Sequence, residues 1–234
     1  MDNSTIRRTT GTAATLGAVC ILVEIPLYFV YSGPPPASNV LTRSLFGLAG
    51  LACLVVFMTL FGQLVKRIDP EQEWIGALAS RTGSLWVTML FVGTGLEAGA
   101  VIQSTTAIDP TITVSGTYII YGTISRILEG MFLVAFGIAV RNTGLLPSWA
   151  KTSAWILAAI NFAFIPSIFF GNKPADFYAA NGWGTTATMG GLTMIWLLTI
   201  GIALARVKTG PYGECNDSKV TASVTGVSNT KAVR

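Results

Sequence analysis

The stretch YIIYGTISRILEGMFLVAFGIAV, residues 118–140, decides the fold, because it is apolar enough to cross a membrane yet contains two charged residues. A helix needs about 20 mostly apolar residues to cross a bilayer. A charged side chain near the bilayer centre costs about 2.5–3.5 kcal/mol. Arg126 and Glu129 are spaced i, i+3, so they share one helical face and can pair. The stretch therefore predicts a membrane-spanning helix whose polar face points into a protein interior.

The composition of the whole chain is typical of a membrane protein. Of its 234 residues, 51% are hydrophobic and 11% are charged, and the mean hydropathy is +0.60. Soluble domains have about 25% charged residues. The formal net charge of +4 does not indicate nucleic-acid binding, because the basic residues lie at the ends of the apolar segments and form no patch. We expect the lipid bilayer, and no nucleic acid, as a partner.

The residue types that most often carry catalysis and metal binding are scarce. The chain contains no histidine, which excludes a His-dependent triad and the commonest metal ligand. Its three cysteines, Cys20, Cys53 and Cys215, indicate neither a disulfide framework nor a thiolate metal site. No phosphate-binding loop, dinucleotide fingerprint or zinc motif is present. We expect no metal and no cofactor.

Six apolar segments predict an all-α, polytopic transmembrane helix bundle. The first segment contains Glu24 and Pro26 and has no clear cleavage site, so we interpret it as a retained span and not as a signal peptide. Residues 1–9 are predicted to be a polar N-terminal segment, and residues 207–234 a disordered tail. The transmembrane domain is predicted at 10–206, with spans at about 12–31, 45–65, 84–103, 118–140, 152–170 and 184–205.

The distribution of basic residues predicts the orientation of the bundle. Lysine and arginine are enriched on the cytoplasmic side of membrane proteins. With six spans and a cytoplasmic N-terminus, only Arg43 and Lys173 lie outside and Arg126 lies within the membrane, whereas the other basic residues lie inside. We therefore expect a multi-pass protein of the cell membrane with both termini cytoplasmic and a cytoplasmic tail.

Several polar side chains fall inside the predicted spans. At a rise of about 1.5 Å per residue, Glu24, Glu97 and Arg126 lie in the outer half of the membrane. Glu129 and Asn161 lie near its middle. Such groups avoid lipid, so we expect them to face a common interior where they pair or meet water. The predicted ligand-binding residues are Glu24, Glu97, Arg126, Glu129 and Asn161, together with Tyr118 on the helical face of Arg126.

The charges of this predicted set do not balance. Three carboxylates and one guanidinium leave net negative charge in a low-dielectric interior if all of them are ionised. We expect Glu129 to pair with Arg126, and at least one of Glu24 and Glu97 to be protonated. Alternatively, the Arg126–Glu129 pair only fixes how the helices pack, as buried ion pairs can, and has no chemical role.

The motif Arg-Ile-Leu-Glu at 126–129, followed by Thr-Gly-Leu-Leu-Pro at 143–147 and by Trp149, resembles a bacterial domain-of-unknown-function family of six-span integral membrane proteins. Members have roughly this length and share an Arg-x-x-Glu pair in span four and a Gly-Leu-Leu-Pro connector before span five. The resemblance covers about residues 10–206. It implies the six-helix architecture and marks the Arg and Glu of the motif as the family's polar pair. It brings no established activity.

Two functions of different classes fit these features. The first is a membrane-embedded binding or transport module, in which a cavity in the outer half takes a small hydrophobic or cationic ligand. Acidic residues that face a cavity suit proton coupling or cation recognition, although a transporter usually contains a repeat, and none is detectable here. The second is an enzyme similar, in size and in its intramembrane carboxyls only, to small membrane terpene cyclases. Glu24 or Glu97 would then be the catalytic proton donor, without metal or nucleotide.

Overall fold

The computed structural model describes residues 3–206, which fold into helices and connecting loops and contain no strand. Six helical segments are long and apolar enough to cross a membrane. They are α1 (Asn3–Leu27), α2 (Ala37–Ile68), α3 (Pro70–Gln103), α4 (Thr117–Thr143), α5 (Ser148–Phe170) and α6 (Gly184–Arg206). The prediction of an all-α polytopic bundle with six spans is therefore confirmed. The predicted tail at 207–234 lies outside the described residues.

The second helix begins earlier than the apolar pattern predicts. α2 starts at Ala37, directly after the prolines at 34–36. A helix can start there because a proline at the helix N-terminus lacks only an N–H that would have no helical partner. Arg43, which the sequence places in an outer loop, lies instead within α2 and is 2% exposed. This corrects the charge count, because a second guanidinium is buried in the bundle.

Three of the long helices are irregular at the same end of the bundle. α4 contains a π-helical turn at Ile120–Ile124, α5 ends in a 3-10 segment at Ile165–Phe170, and α6 begins with a π-helical turn at Gly184–Thr188. The loops at 28–36, 104–116 and 171–183 connect the helices at this end, which we call the loop end. Single π turns occur often at functional sites.

The fourth helix lies at the centre of the bundle. α1 packs against α2 and α6, α2 against α3, α3 against α4, and α4 against α5. Of the described helices, α4 has the largest buried share of its apolar span. Rings from α2, α3, α4 and α6 meet around it and form an aromatic core of Phe57, Phe61, Trp86, Phe132, Phe136 and Trp196. This core fills the middle of the bundle.

Glycines permit the closest helix crossings. On α6, a Cβ atom at Gly201 would lie 2.6 Å from Thr15 Oγ1 and 2.8 Å from the carbonyl oxygen of Gly11, both on α1. Helices in a membrane associate largely through such close packing, because lipid supplies no hydrophobic driving force between them. Gly191, on the same helix, has no atom within 4 Å of the Cβ position.

The two glycines of α6 give a matched test of this packing. We expect Gly201→Ala to lower the free energy of unfolding by about 1–3 kcal/mol, because the added methyl group forces α1 and α6 apart. Gly191→Ala is expected to be neutral or to stabilise by up to about 1 kcal/mol, because alanine is the better helix former. Thermal unfolding of both variants in nanodiscs measures the difference. Equal effects at both positions would contradict the proposed crossing.

Candidate functional site

A cavity of about 520 Å³ lies between the helices in the half of the bundle next to the loop end. Its wall contains residues of α1, α2, α3, α4 and α6 and residues of all three loops at that end. The volume is within the range of about 300–1,000 Å³ that is usual for small-molecule sites. Most of the lining side chains are apolar or aromatic, and the charged ones are Glu24, Glu97, Asp109 and Arg126.

Two of the predicted residues, Glu24 of α1 and Glu97 of α3, bring carboxyl groups to this wall. We call them the carboxyl pair. Their exposures are 8% and 1%. Glu24 accepts a hydrogen bond from the hydroxyl of Tyr28 at 3.3 Å. Gly47 of α2 leaves the space that the Glu24 carboxyl group occupies, since a Cβ atom there would lie 2.5 Å from Glu24 Oε2.

Arg43 belongs to this site although the sequence did not predict it. Its Nη2 atom lies 3.8 Å from Oε2 of Glu97, and its guanidinium lies over the ring of Tyr28, 3.8 Å from the centroid. Among the described residues, neither Nη2 of Arg43 nor Oε1 of Glu97 has a hydrogen-bond partner. The ion pair is therefore loose. The sequence does contain a signal for this position of Arg43. The segment ASNVLTR after Pro36 contains no helix breaker, so the second helix can be extended back to include Arg43.

Arg43 changes the charge balance that the sequence predicts. The carboxyl groups buried in the bundle beside the cavity are those of Glu24, Glu97 and Glu129, and the buried guanidinium groups are those of Arg43 and Arg126. Three carboxyl groups against two guanidinium groups leave an excess of one negative charge if all are ionised. The sequence alone, with Arg43 assigned to a loop, predicts an excess of two.

The predicted pair of Arg126 and Glu129 is confirmed, and it belongs to a larger network. Arg126 Nη2 lies 3.0 Å from Glu129 Oε2. Asn161 of α5 accepts a hydrogen bond from Arg126 Nη1 at 2.9 Å and donates one to Glu129 Oε1 at 3.0 Å. The hydroxyl of Thr193 on α6 also donates to Glu129 Oε1. These four buried residues, the Arg126 network, tie α4 to α5 and α6.

The members of the Arg126 network differ in their access to the cavity. Arg126 lines the cavity, whereas Glu129 and Asn161 are not part of its wall and are 0% exposed. The polar side-chain atoms of Glu129 and Asn161 interact mainly with each other and with Arg126. Buried polar groups that satisfy one another in this way rigidify the packing. Glu129 and Asn161 therefore hold the Arg126 side chain in place without themselves lining the cavity.

A tyrosine other than the predicted one lines the cavity. Tyr118 is half-buried and is not part of the cavity wall. Tyr121 lines the cavity, and its hydroxyl lies 3.3 Å from Thr94 Oγ1, to which it donates a hydrogen bond. Gly93 of α3 accommodates this ring, because a Cβ atom there would lie 2.9 Å from Tyr121 Cζ.

The π-helical turn of α4 explains why Tyr121, and not Tyr118, lines the cavity. A π turn contains more residues than an α turn, so it rotates the residues before it relative to those after it. Here the backbone N–H of Ser125 bonds to the carbonyl oxygen of Ile120, five residues earlier, which is the π spacing, and the helix is kinked at Gly122, whose φ of −86° and ψ of −111° are not helical. Tyr121 lies five residues before Arg126 and joins it at the cavity. A regular 3.6-residue period does not predict this register.

Trp86 of α3 closes the inner end of the cavity. Its ring is 1% exposed and stacks on Phe132 of the aromatic core, with ring centroids 6.4 Å apart. Within the part of the chain that the structure describes, the indole Nε1 has no hydrogen-bond partner. A buried donor without an acceptor costs about 1–3 kcal/mol. Trp86 and Glu97 thus both line the cavity, and each has a buried polar atom without a partner among the described residues.

The Arg126 network predicts a specific loss of stability. Asn161→Ala leaves Arg126 and Glu129 each short of a hydrogen bond, and we expect it to lower the free energy of unfolding by about 1.5–3 kcal/mol. Asn142→Ala is the control, because Asn142 donates at 2.7 Å to Gln72 on an exposed surface, and its expected effect is within about 0.5 kcal/mol. Unfolding by sodium dodecyl sulfate in mixed micelles, followed by circular dichroism, measures both. Equal effects would show that the network adds no stability.

The chain matches no protein-family model, no curated protein and no solved structure. Membership of the six-span family that the Arg-Ile-Leu-Glu motif suggests therefore stays a prediction. Among residues 3–206, no group of three His, Cys, Asp or Glu side chains is arranged to hold a metal ion. The chain is a multi-pass membrane protein by its six apolar helices, and its function has to be argued from the cavity.

Proposed function

We propose that the protein binds a small, mainly apolar ligand in the cavity at the loop end, within the membrane. The observation that carries this proposal is a largely apolar cavity of about 520 Å³ whose lining residues include Glu97 and Trp86, each with a polar atom that has no partner among the described residues. Ligand sites combine an apolar lining with a few polar groups that fix orientation. The excess of basic residues near the termini favours cytoplasmic termini, which would put the cavity in the outer half of the membrane.

The lining supports a ligand with a large apolar body. Aliphatic side chains from four helices contribute to the wall: Ile21 and Ile25 of α1, Leu51 of α2, Leu90 of α3 and Met194 of α6. Burying apolar surface against them contributes about 25 cal/mol per Å². The polar groups are concentrated on α1, α3 and α4, so a ligand would place its polar end on that side.

Access to the cavity from the loop end distinguishes binding from transport. Trp86 lies at the inner end of the cavity and is also part of the aromatic core that fills the middle of the bundle. A ligand would therefore enter and leave on the loop side or from the lipid. Movement to the other side of the membrane would require Trp86 and Phe132 to separate. Binding is consequently the simpler function for this geometry.

A second candidate is a metal-independent enzyme similar to terpene cyclases. The observation that favours it is that aromatic rings, those of Tyr28, Trp86 and Tyr121, line the same cavity as the carboxyl pair. Aromatic faces stabilise cations, and a carboxylic acid can protonate an alkene or an epoxide. An experiment in D₂O separates the two functions. A cyclase that protonates an alkene leaves a non-exchangeable C–D bond in the product, and one that opens an epoxide returns a molecule with a new ring, whereas a binding protein returns its ligand unlabelled and unchanged.

Two adjacent glycines of α6 allow the cavity to be blocked with a matched control. Gly190 lines the cavity and has no atom closer than 3.9 Å to its Cβ position, whereas Gly191 is not part of the wall. We expect wild type purified in native nanodiscs to retain a discrete small molecule, detected by mass spectrometry. Gly190→Leu places a bulky side chain at the cavity wall and narrows the cavity, so retention of this molecule should fall at least about tenfold, a change of 1.4 kcal/mol. Gly191→Leu should retain it.

Identical small-molecule profiles in wild type and Gly190→Leu would contradict the proposed function. Size-exclusion chromatography and circular dichroism of both variants check that the bundle is folded. Because the two substitutions are the same and adjacent, a general effect of a bulky side chain on α6 would lower retention in both.

A further inference from the structure

Among the charged groups at the cavity, the charges of Arg126 and Glu129 match, whereas those of Glu24, Glu97 and Arg43 do not. Arg126 is held by Glu129 and Asn161, so its charge is matched within the Arg126 network. Among residues 3–206, the carboxyl pair, Glu24 and Glu97, has only Arg43 as a directly paired opposing charge. One negative charge of the pair is therefore left without a counter-charge when both carboxyl groups are ionised. Burying an unpaired charge is costly, so a cation or a proton must neutralise it.

The elements packed around the carboxyl pair bring few other titratable groups to it. Tyr28 lies in the loop at 28–36, Arg43 on α2, and Tyr121 and Arg126 on α4. The residues of α6 that line the cavity include no titratable group, being Thr186, Ala187, Gly190 and Met194. No second free cation faces the pair among the described residues.

Asp109 in the loop at 104–116 adds a further carboxyl group to the wall. Its Oδ1 atom accepts hydrogen bonds from the backbone N–H of Thr111 at 3.1 Å and from the hydroxyl of Thr111 at 2.7 Å. Asp109 is thus the N-cap of the short helix Pro110–Thr113. Its charge has the same sign as the excess on the carboxyl pair, so the whole wall attracts cations and repels anions.

Aromatic rings beside the carboxyl pair favour an organic cation over a metal ion. Tyr28 and Tyr121 lie next to the pair, and Trp86 and Trp183 also line the cavity. Ring faces attract cations, most strongly where water is excluded, and this is how proteins recognise quaternary ammonium groups. The Tyr28 ring already binds one cation in this way, the guanidinium of Arg43 at 3.8 Å. An ammonium group in the cavity could make the same cation–π contact with one of the neighbouring rings.

We infer that the ligand is a lipophilic organic cation with a single positive charge, such as a quaternary or protonated amine, and that it exchanges with one proton on Glu24 or Glu97. The inference rests on the proposed function, since it uses the same cavity. In the exchange, the O–H bond of one carboxyl group breaks, the proton passes to bulk water, and the ligand cation pairs with the carboxylate that remains. The charge in the cavity is the same before and after.

A pair of probes with the same shape tests this inference. Benzyltrimethylammonium carries a permanent positive charge, and neopentylbenzene has carbon in place of its nitrogen. Calorimetric titration of the full-length protein in nanodiscs, in two buffers of different ionisation enthalpy, gives the affinity and the number of protons released. We expect benzyltrimethylammonium to bind at least about tenfold more tightly than neopentylbenzene, a difference of 1.4 kcal/mol. Its binding should release up to one proton and weaken towards acid pH.

Substitutions in the carboxyl pair give a distinctive expectation. Because the excess is a single charge, Glu24→Gln and Glu97→Gln should each abolish proton release and weaken benzyltrimethylammonium binding at least about tenfold. Binding of neopentylbenzene should be unchanged in both variants. Glu73→Gln is the control, because Glu73 pairs with Lys66 on an exposed surface, and it should behave like wild type. If one variant does not fold, the other still tests the inference.

The outcomes separate this inference from the proposed function. If neopentylbenzene binds wild type as tightly as benzyltrimethylammonium, or if neither glutamate substitution affects the cation, the inference is overturned and the apolar cavity site stands. If neither probe binds and Gly190→Leu behaves like wild type, both the inference and the proposed function are overturned. Tight cation binding that releases a proton, and is lost in both glutamate variants, supports both.

Discussion

The ion pair between Arg126 and Glu129 is the constraint on which the arrangement of the helices depends. Lipid cannot solvate these groups, so the helix that carries them has to lie inside the bundle. α4 is accordingly the central helix, and its neighbours supply the missing polar partners, Asn161 from α5 and Thr193 from α6. The helices α2 and α3 then pack against α4 through the aromatic core, and α1 packs against α2 and α6.

The two buried polar groups of the bundle differ in how closely their charges are paired. In the Arg126 network the ion pair is 3.0 Å long, and Asn161 and Thr193 add side-chain hydrogen bonds to it. In the group of Glu24, Arg43 and Glu97, the ion pair is 3.8 Å long, and the side-chain hydrogen bond that the structure shows there is that of Tyr28 to Glu24. A closely paired network suits a structural role, whereas a loosely paired group at a cavity suits ligand binding.

The features that could be predicted from the sequence are those that the bilayer imposes on the chain. The thickness of the bilayer fixes the length of a span. Because the bilayer has a low dielectric, charged residues within a span are unusual, and the i, i+3 spacing of Arg126 and Glu129 lets them pair. Both the six helices and this pair follow from those two constraints. The positions of Glu24 and Glu97 on one cavity follow from the same argument, since charged groups on different spans avoid lipid together.

The features that the sequence did not predict depend on local helix geometry and on tertiary packing. Arg43 was assigned to a loop because hydropathy marks only the apolar part of a helix, and α2 extends beyond it. Tyr121 replaces Tyr118 at the cavity because a π turn changes the register of α4, which no hydrophobic period reveals. The role of Trp86 is visible only once its indole is seen to lack a partner while its ring stacks on Phe132.

The most direct test of the central claim is whether water-soluble molecules reach the polar face of α3 inside the membrane. Thr94 lines the cavity and Thr88 is exposed on the surface of the same helix without lining it. Thr94→Cys and Thr88→Cys, each made after Cys20, Cys53 and Cys215 are replaced by serine, can be treated in proteoliposomes with a positively charged methanethiosulfonate reagent. The account predicts that the thiol at 94 reacts and the thiol at 88, facing lipid, does not. Reaction at 88 alone, or protection of both, would contradict it.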